Sequence, residues 1–304
     1  MLKRKALNRI LITTIIFFLV FTLYTIKDIN NEESVKNTKQ KAETTSIYAL
    51  NDDNYLSKTV IYIDENKNLE DKIKEKLEIM IKENNKNSLL PSYFNPVLPK
   101  NTKIEEVKVE DSLVKLYFSK ELMDITEKQS ETMIEAITYS IIDENILGIE
   151  IYVENEMLKY IPHTKKKMPT ILTKDFGINK TYEISKTDNI VKIVMLYYSY
   201  DNGNYYETPV TKYVNETKEK LEIILNDLES IAKGTNILTL MDDIQILNYE
   251  ITPDEIKINI NKDILHNEEK VFLTSIFNNY DVKKITLYVN NEKKSEKTLK
   301  DIEK

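Results

Sequence analysis

No cysteine occurs anywhere in the sequence. That excludes disulfide staples, thiolate metal sites, thiol catalysis and a lipid carried on a thiol. Histidine is nearly as scarce, with only His163 and His266, so a multi-histidine metal centre is excluded. Four glycines are too few for a glycine-rich phosphate cradle. Tryptophan is absent, which removes the strongest aromatic platform for a glycan. Blocks of one charge sign are missing too: 43 Lys and Arg are interspersed with 50 Asp and Glu, for a formal net charge of −7. This describes a solvated surface and not one built to hold a polyanion.

What is present is a pattern stated twice. KEKLEIM at Lys74–Met80 returns as KEKLEII at Lys218–Ile224. VKLYFSKEL at Val114–Leu122 returns in pattern as IKININKDI at Ile256–Ile264, and IEIYVENE at Ile149–Glu156 returns as ITLYVNNE at Ile285–Glu292. Three matched segments in one order, roughly 100 residues from first to last, indicate one supersecondary unit used twice. The expected fold class is α+β: two tandem β-α-β-β-α-β domains, each a small sheet with two helices on one face, behind an N-terminal transmembrane helix.

Residues 1–29 read as a cytoplasmic basic flank and a membrane anchor. Lys3, Arg4, Lys5 and Arg9 precede the uncharged run Ile10–Ile26, which includes Phe17, Phe18 and Phe21. Its length of roughly 25 Å as a helix suits the short end of a membrane span, and the basic flank places the N-terminus in the cytoplasm. The competing reading is a cleaved signal peptide; against it, the run exceeds the usual h-region of about 7 to 15 residues and no small-x-small site follows. Residues 30–54, rich in Asn, Glu, Lys, Thr and Ser, read as a flexible stalk, because so few apolar residues cannot offset chain entropy.

The first domain is expected over 55–157. Leu69, Ile73, Leu77 and Met80 predict a helix to Asn84, and a proline-bearing loop follows. A hairpin is expected from Ile104–Val109 and Leu113–Ser119, then a helix opened by a Thr126/Gln129 capping box with the stripe Met133, Ile134, Ile137 and Ile141. A connector over 158–188 is expected to be pinned by Ile171, Leu172, Phe176 and Ile178. The second domain spans 189–292 and opens with a hairpin whose Asn202-Gly203 pair accepts the positive φ angles of a type I′ turn. Asn215 and Gly234 read as the caps of its first helix, and 293–304 reads as a charged tail.

From Val97 to Leu122, VLPKNTKIEEVKVEDSLVKLYFSKEL, and on to GIEIYVENE at Gly148–Glu156, the chain resembles the GerM family of bacterial sporulation and germination proteins. The resemblance covers one unit directly and the second through the internal repeat. It implies a non-enzymatic, extracytoplasmic scaffold that binds other envelope or sporulation-complex proteins. Members frequently carry a lipid-accepting Cys, which this chain lacks, so the apolar helix is the expected attachment. The second unit also reads TNILTLMDD at Thr235–Asp243 where the first has Leu-Pro-Lys.

No catalytic, cofactor or metal residues emerge. Both histidines read as surface residues, and the pairs Asp52–Asp53 and Asp242–Asp243 lack a six-oxygen loop spacing. No hydrolase elbow, zinc-protease or phosphate-loop motif occurs, so an enzyme is not expected. The strand order also belongs to an RNA-binding module, but that module needs a basic surface and a Gly-aromatic third strand, whereas this one reads VKLYFSK. The residues singled out for partner binding are Tyr117, Glu150, Tyr152, Lys257 and Tyr288, with Lys115, Asn259 and Thr286 beside them. Strand alternation sets them on the face away from the helices, and tyrosine gives large contact area at little rotamer cost. The competing function is cell-wall binding or an accessory role to an envelope enzyme.

Overall fold

The computed structural model describes residues 42–229, 237–238 and 244–302. The apolar run Ile10–Ile26, with Phe17, Phe18 and Phe21, lies outside the described residues, as do Gly234 and Asp242–Asp243. Each domain holds two small sheets sharing a pair of helices, not the single sheet expected.

In the first domain β1 (Ala42–Asn51) and β2 (Leu56–Asp64) form an antiparallel hairpin, and β3 (Phe94–Asn95) pairs with the free side of β1. All of β1 lies where a stalk was expected. Ile47 and Ala49 are fully buried within it, so the stalk reading fails from Ala42 onward. Helix α1 (Leu69–Ile79) starts where Asn68 Oδ1 accepts the Asp71 N–H at 2.7 Å, and it buries Ile73, Leu77 and Ile79. It ends short of Asn84 because the proline loop captures its last turn. The Leu98 N–H donates to Met80 O at 2.8 Å, and Asn87 Nδ2 donates to Ile79 O and Ile81 O, both at 2.8 Å.

The second sheet runs β4 (Ile104–Glu110), β5 (Leu113–Phe118), β6 (Gly148–Val153) and β7 (Glu156–Met157), in that spatial order. β5 and β6 are parallel, and α2 (Glu127–Ile141) is the crossover between them. Val114, Leu116, Phe118 and Ile149 are fully buried toward the helices. Thr126 does not build a capping box: its hydroxyl donates to Gln129 Oε1 at 3.1 Å and accepts no backbone N–H of the first turn. Helix α2 is buried nearly all round, since β1 and the connector turn near Lys174–Phe176 pack against the side away from the four-stranded sheet. Gly148 has no room for a side chain, because a Cβ there would come within 2.6 Å of Ile171 Cγ2.

The second domain repeats the plan. β8 (Thr181–Glu183), β9 (Ile190–Asp201), β10 (Asn204–Asn215) and β11 (Ile237–Leu238) form the first sheet, with α3 (Lys220–Glu229) after β10. Asn202 and Gly203 have φ of 46° and 89°, as the expected hairpin turn requires. Asn215 does not cap α3. Its Oδ1 instead accepts the Ser185 and Lys186 N–H groups and its Nδ2 donates to Lys186 O and Asp188 O, stapling the end of the connector. The last sheet is β12 (Ile246–Ile251), β13 (Glu255–Ile260), β14 (Lys284–Val289) and β15 (Glu292–Lys297), with α4 (His266–Phe277) crossing between parallel β13 and β14. β15 and the turn α5 (Leu299–Ile302) lie within the expected charged tail. β15 pairs along β14, and Ile302 is buried in the second core, so the chain is ordered there.

Two cores result, one running from Ile47 to Ile178 and one from Ile193 to Ile302. The seam between them is polar. Ser57 Oγ lies 2.6 Å from Thr208 Oγ1 and 3.1 Å from Ser199 Oγ, all three fully buried. Asn179 bridges both domains: its Oδ1 accepts the Leu56 N–H, and its Nδ2 donates to Leu56 O and Pro209 O, each at 2.8 Å. Stacked Tyr93 and Tyr206 close one end, with centroids 5.5 Å apart. Burial, helped by its hydrogen bond to Asp53, pushes the Tyr93 phenol up to about 12.

Two carboxylates on adjacent turns of α2 meet the ammonium of Lys180, itself buried at the seam. Glu135 lies 3.4 Å from it and accepts the Asn179 N–H at 2.9 Å. Burial outweighs both partners and pushes the Glu135 carboxyl up to about 7. Glu131 is buried less and is held by Lys166 at 2.7 Å and Lys180 at 3.0 Å, so those cations overcome burial and lower its pKa.

Two outcomes are expected. A chain begun at residue 55 loses β1 and leaves β2 and β3 unpaired, so its thermal midpoint drops by more than about 10 °C relative to a chain begun at Ala42. Equal midpoints would remove β1 from the domain. Native Glu135 holds its proton to about pH 7, well above the roughly 4.3 of an unfolded Glu, so its stabilisation is complete below about pH 4 and lost as pH rises through 7. The midpoint advantage of wild type over Glu135→Gln should therefore shrink between pH 5 and 7.5, and a pH-independent difference refutes a neutral Glu135.

Candidate functional site

The helices cover one face of each four-stranded sheet, and strand alternation sends the other residues to the opposite face. In the first domain that face carries Glu106 and Lys108 of β4, Lys115 and Tyr117 of β5, and Glu150 and Tyr152 of β6. Parallel pairing sets Lys115 opposite Glu150 and Tyr117 opposite Tyr152. The two tyrosine rings stack with centroids 4.7 Å apart and planes at 17°. Lys108 Nζ stands 4.9 Å above the Tyr117 ring, a cation–π contact. Tyr152 OH donates to Glu150 Oε2 at 2.8 Å, and that bond raises the pKa of the phenol. Lys115 Nζ donates to Glu110 Oε2 at 2.6 Å. The result is a half-exposed aromatic pair framed by charges that are already paired.

The second domain places Lys257 and Asn259 of β13 against Thr286 and Tyr288 of β14 in the same register. Lys257 bonds Glu250 at 3.0 Å, and Asn259 exchanges two hydrogen bonds with Asn291, at 2.7 and 2.9 Å. A cavity of about 260 Å³ opens beside Tyr288, walled by Tyr249, Asn248 and Lys257. Tyr152 and Tyr288 thus hold one position in the two repeats, but Tyr288 faces Asn259 where Tyr152 faces Tyr117. The face is also less open than expected at its middle, since Glu150, Asn259 and Thr286 are buried. The five singled-out residues therefore do not form one surface: Tyr117, Glu150 and Tyr152 belong to one sheet, Lys257 and Tyr288 to another.

One aromatic pair was missed in the sequence. Tyr182 of β8 and Tyr213 of β10 are parallel neighbours whose rings stack at 5.1 Å and 8°, with Tyr182 largely exposed. Nothing in the linear pattern pairs a connector residue with a strand 31 positions on. His163 is spent on structure, its Nε2 lying 2.8 Å from Met123 O. Asp52 and Asp53 accept from Asn95 and Tyr93, fixing β3 to the first hairpin. Among the described residues no three His, Asp or Glu side chains gather to hold a metal ion, and no helix is long and apolar enough to cross a membrane.

A family model described as Germane, sporulation and spore germination, matches residues 46–159. The match begins inside β1, in agreement with a domain that opens on the hairpin. The spore germination protein GerM of Bacillus subtilis is 20% identical over 283 residues, covering 86% of this chain and 76% of that protein. The solved tandem GerMN domains of the sporulation protein GerM from Bacillus subtilis superpose with a TM-score of 0.74 at 18% identity, over 83% of this chain and 92% of that one. Residues 46–159 are thus similar to the Germane family, and the described chain shares the fold of the tandem GerMN domains, with a second domain following the first.

Proposed function

We propose that the chain is a membrane-anchored, extracytoplasmic scaffold of the bacterial envelope that binds partner proteins during spore formation or germination. The observation that carries this reading is the tandem fold shared with a sporulation protein. The anchor rests on Ile10–Ile26 with its basic flank, which puts the N-terminus in the cytoplasm and both domains outside. The sheet face of the first domain suits protein contact. Stacked Tyr117 and Tyr152 offer a preformed aromatic surface, with Glu150 fixing the Tyr152 hydroxyl, so little side-chain entropy remains to be lost on binding. Lys257 and Tyr288 supply a more polar counterpart in the second domain.

The test is a photo-crosslinking residue placed singly at positions 117, 152 and 288 of the full chain in sporulating cells. Discrete adducts from 117 and 152, lost when the untagged wild-type chain is overproduced, are expected. The double variant Tyr117→Ala/Tyr152→Ala should keep its thermal midpoint within a few degrees, since both rings are half exposed, yet weaken partner capture by on the order of tenfold. Absence of adducts from all three positions would take the sheet faces out of the function.

A further inference from the structure

The seam between the two domains opens on one side into a cavity of about 540 Å³, within the size range of small-molecule sites. Its charge runs against that of the chain. Five lysines line it, Lys58 and Lys174 from the first domain and connector, and Lys192, Lys220 and Lys270 from the second, against two carboxylates, Asp175 and Glu207. A protein with a net charge of −7 thus presents a concave wall with a local excess of three positive charges. Like charges brought into one cleft repel, and a fold keeps such an arrangement at a cost in stability unless an anion offsets it.

Glu207 is the built-in counter-ion. Lys270 Nζ lies 2.7 Å from its Oε1 and Lys58 Nζ 3.1 Å from its Oε2, and these two ammonium groups overcome burial to lower its pKa. It is therefore a carboxylate at neutral pH, alongside the charged lysines. Asp175 is almost wholly exposed and only 3.7 Å from Lys192, too solvated to neutralise much. Lys220 has no ion-pair partner among the described residues. Thr274 of α4 also lines the cavity, though its Oγ1 is buried away from the open space.

We propose that this interdomain cleft is a binding site for a ligand carrying two or more phosphate groups. The number of lysines decides the anion class: several ammonium groups in one cleft favour a multiply charged anion over a single carboxylate. Compact ammonium charges on flexible stems suit the more highly charged and rotationally tolerant phosphate. The cavity exceeds the needs of a single small ion, and its lysines come from both domains, so the bound ligand bridges them. The phosphates come from a soluble oligophosphate or from a lipid headgroup, which share this chemistry.

Two probes separate these sources: inorganic tripolyphosphate, and a short-chain cardiolipin, whose headgroup carries two phosphates, below its micellar concentration, each titrated calorimetrically into the full-length chain in neutral detergent. Tripolyphosphate is expected to bind with an affinity that falls as salt rises. Lys220→Glu should weaken it by on the order of tenfold, and Glu207→Gln, which removes the internal competitor, should tighten it by at least about threefold. Lys128→Glu, on an exposed turn of α2 outside the cleft, should change it less than about twofold. Binding of the lipid alone, with the same response to the three variants, supports the site and assigns it to a headgroup. Binding of neither probe, or an equal loss in Lys128→Glu, overturns the proposal. The opposite directions expected of Lys220→Glu and Glu207→Gln separate a site from general destabilisation, which moves both the same way.

Discussion

Parallel pairing of two neighbouring strands is the constraint from which each domain follows. Strands β5 and β6, and again β13 and β14, cannot be joined by a tight turn, so a helix must carry the chain back. That helix buries its apolar side against one face of the sheet, which commits Val114, Leu116, Ile149 and Ile151, or Ile256, Ile258, Ile285 and Leu287, to the core. By alternation every other residue goes to the opposite face. The stacking of Tyr117 on Tyr152 depends on the same pairing, because the in-register parallel neighbours set these two side chains side by side.

The first hairpin of each domain solves a different problem. A four-stranded sheet with helices on one side would leave the outer side of those helices wet, and helix α2 is apolar on too much of its circumference for that. Strand β1 and the connector cover it. Where the two domains meet, hydroxyls and an asparagine replace apolar packing: Ser57, Ser199, Thr208 and Asn179 satisfy one another and the strand ends. Such a seam is demanding in geometry, since each buried hydroxyl left without its partner costs about 1–3 kcal/mol. It fixes one relative register more sharply than an apolar contact of the same area would.

Much of this was legible in the sequence, and the misses share a cause. The three repeated segments fall on equivalent elements, α1 and the start of α3, β5 and β13, β6 and β14, because internal repetition survives where composition is ambiguous. The Asn202-Gly203 turn was readable from steric rules alone. β15 was not, because EKKSEK has no apolar residue: it is held by backbone pairing with β14, and Ser295 and Lys297 alone are partly buried. Its signal was the preceding Asn290–Asn291, whose φ of 49° and 70° make the same two-residue turn as Glu154–Asn155 before β7. β1 hid in a polar stretch although Ile47 and Ala49 alternate with the half-buried Ser46, Tyr48 and Leu50. The seam was invisible for a deeper reason: its serines, threonines and asparagine are ordinary loop and strand residues until the fold buries them together.

The same blindness applies to the cleft. Net charge is a sum over the chain, and −7 argues correctly against a surface that binds polyanions at large. It says nothing about where lysines from five separate elements converge, because convergence is a property of the interdomain angle. Lys58 and Lys270 are 212 positions apart in sequence and both reach Glu207. The sheet face and the cleft are also distinct in kind. One is made within a single domain by strand register and is complete before the domains meet, whereas the other exists only because they meet. A change that loosens the seam would therefore disperse the lysines while leaving Tyr117 and Tyr152 stacked, so the two surfaces can be separated physically without being cut apart.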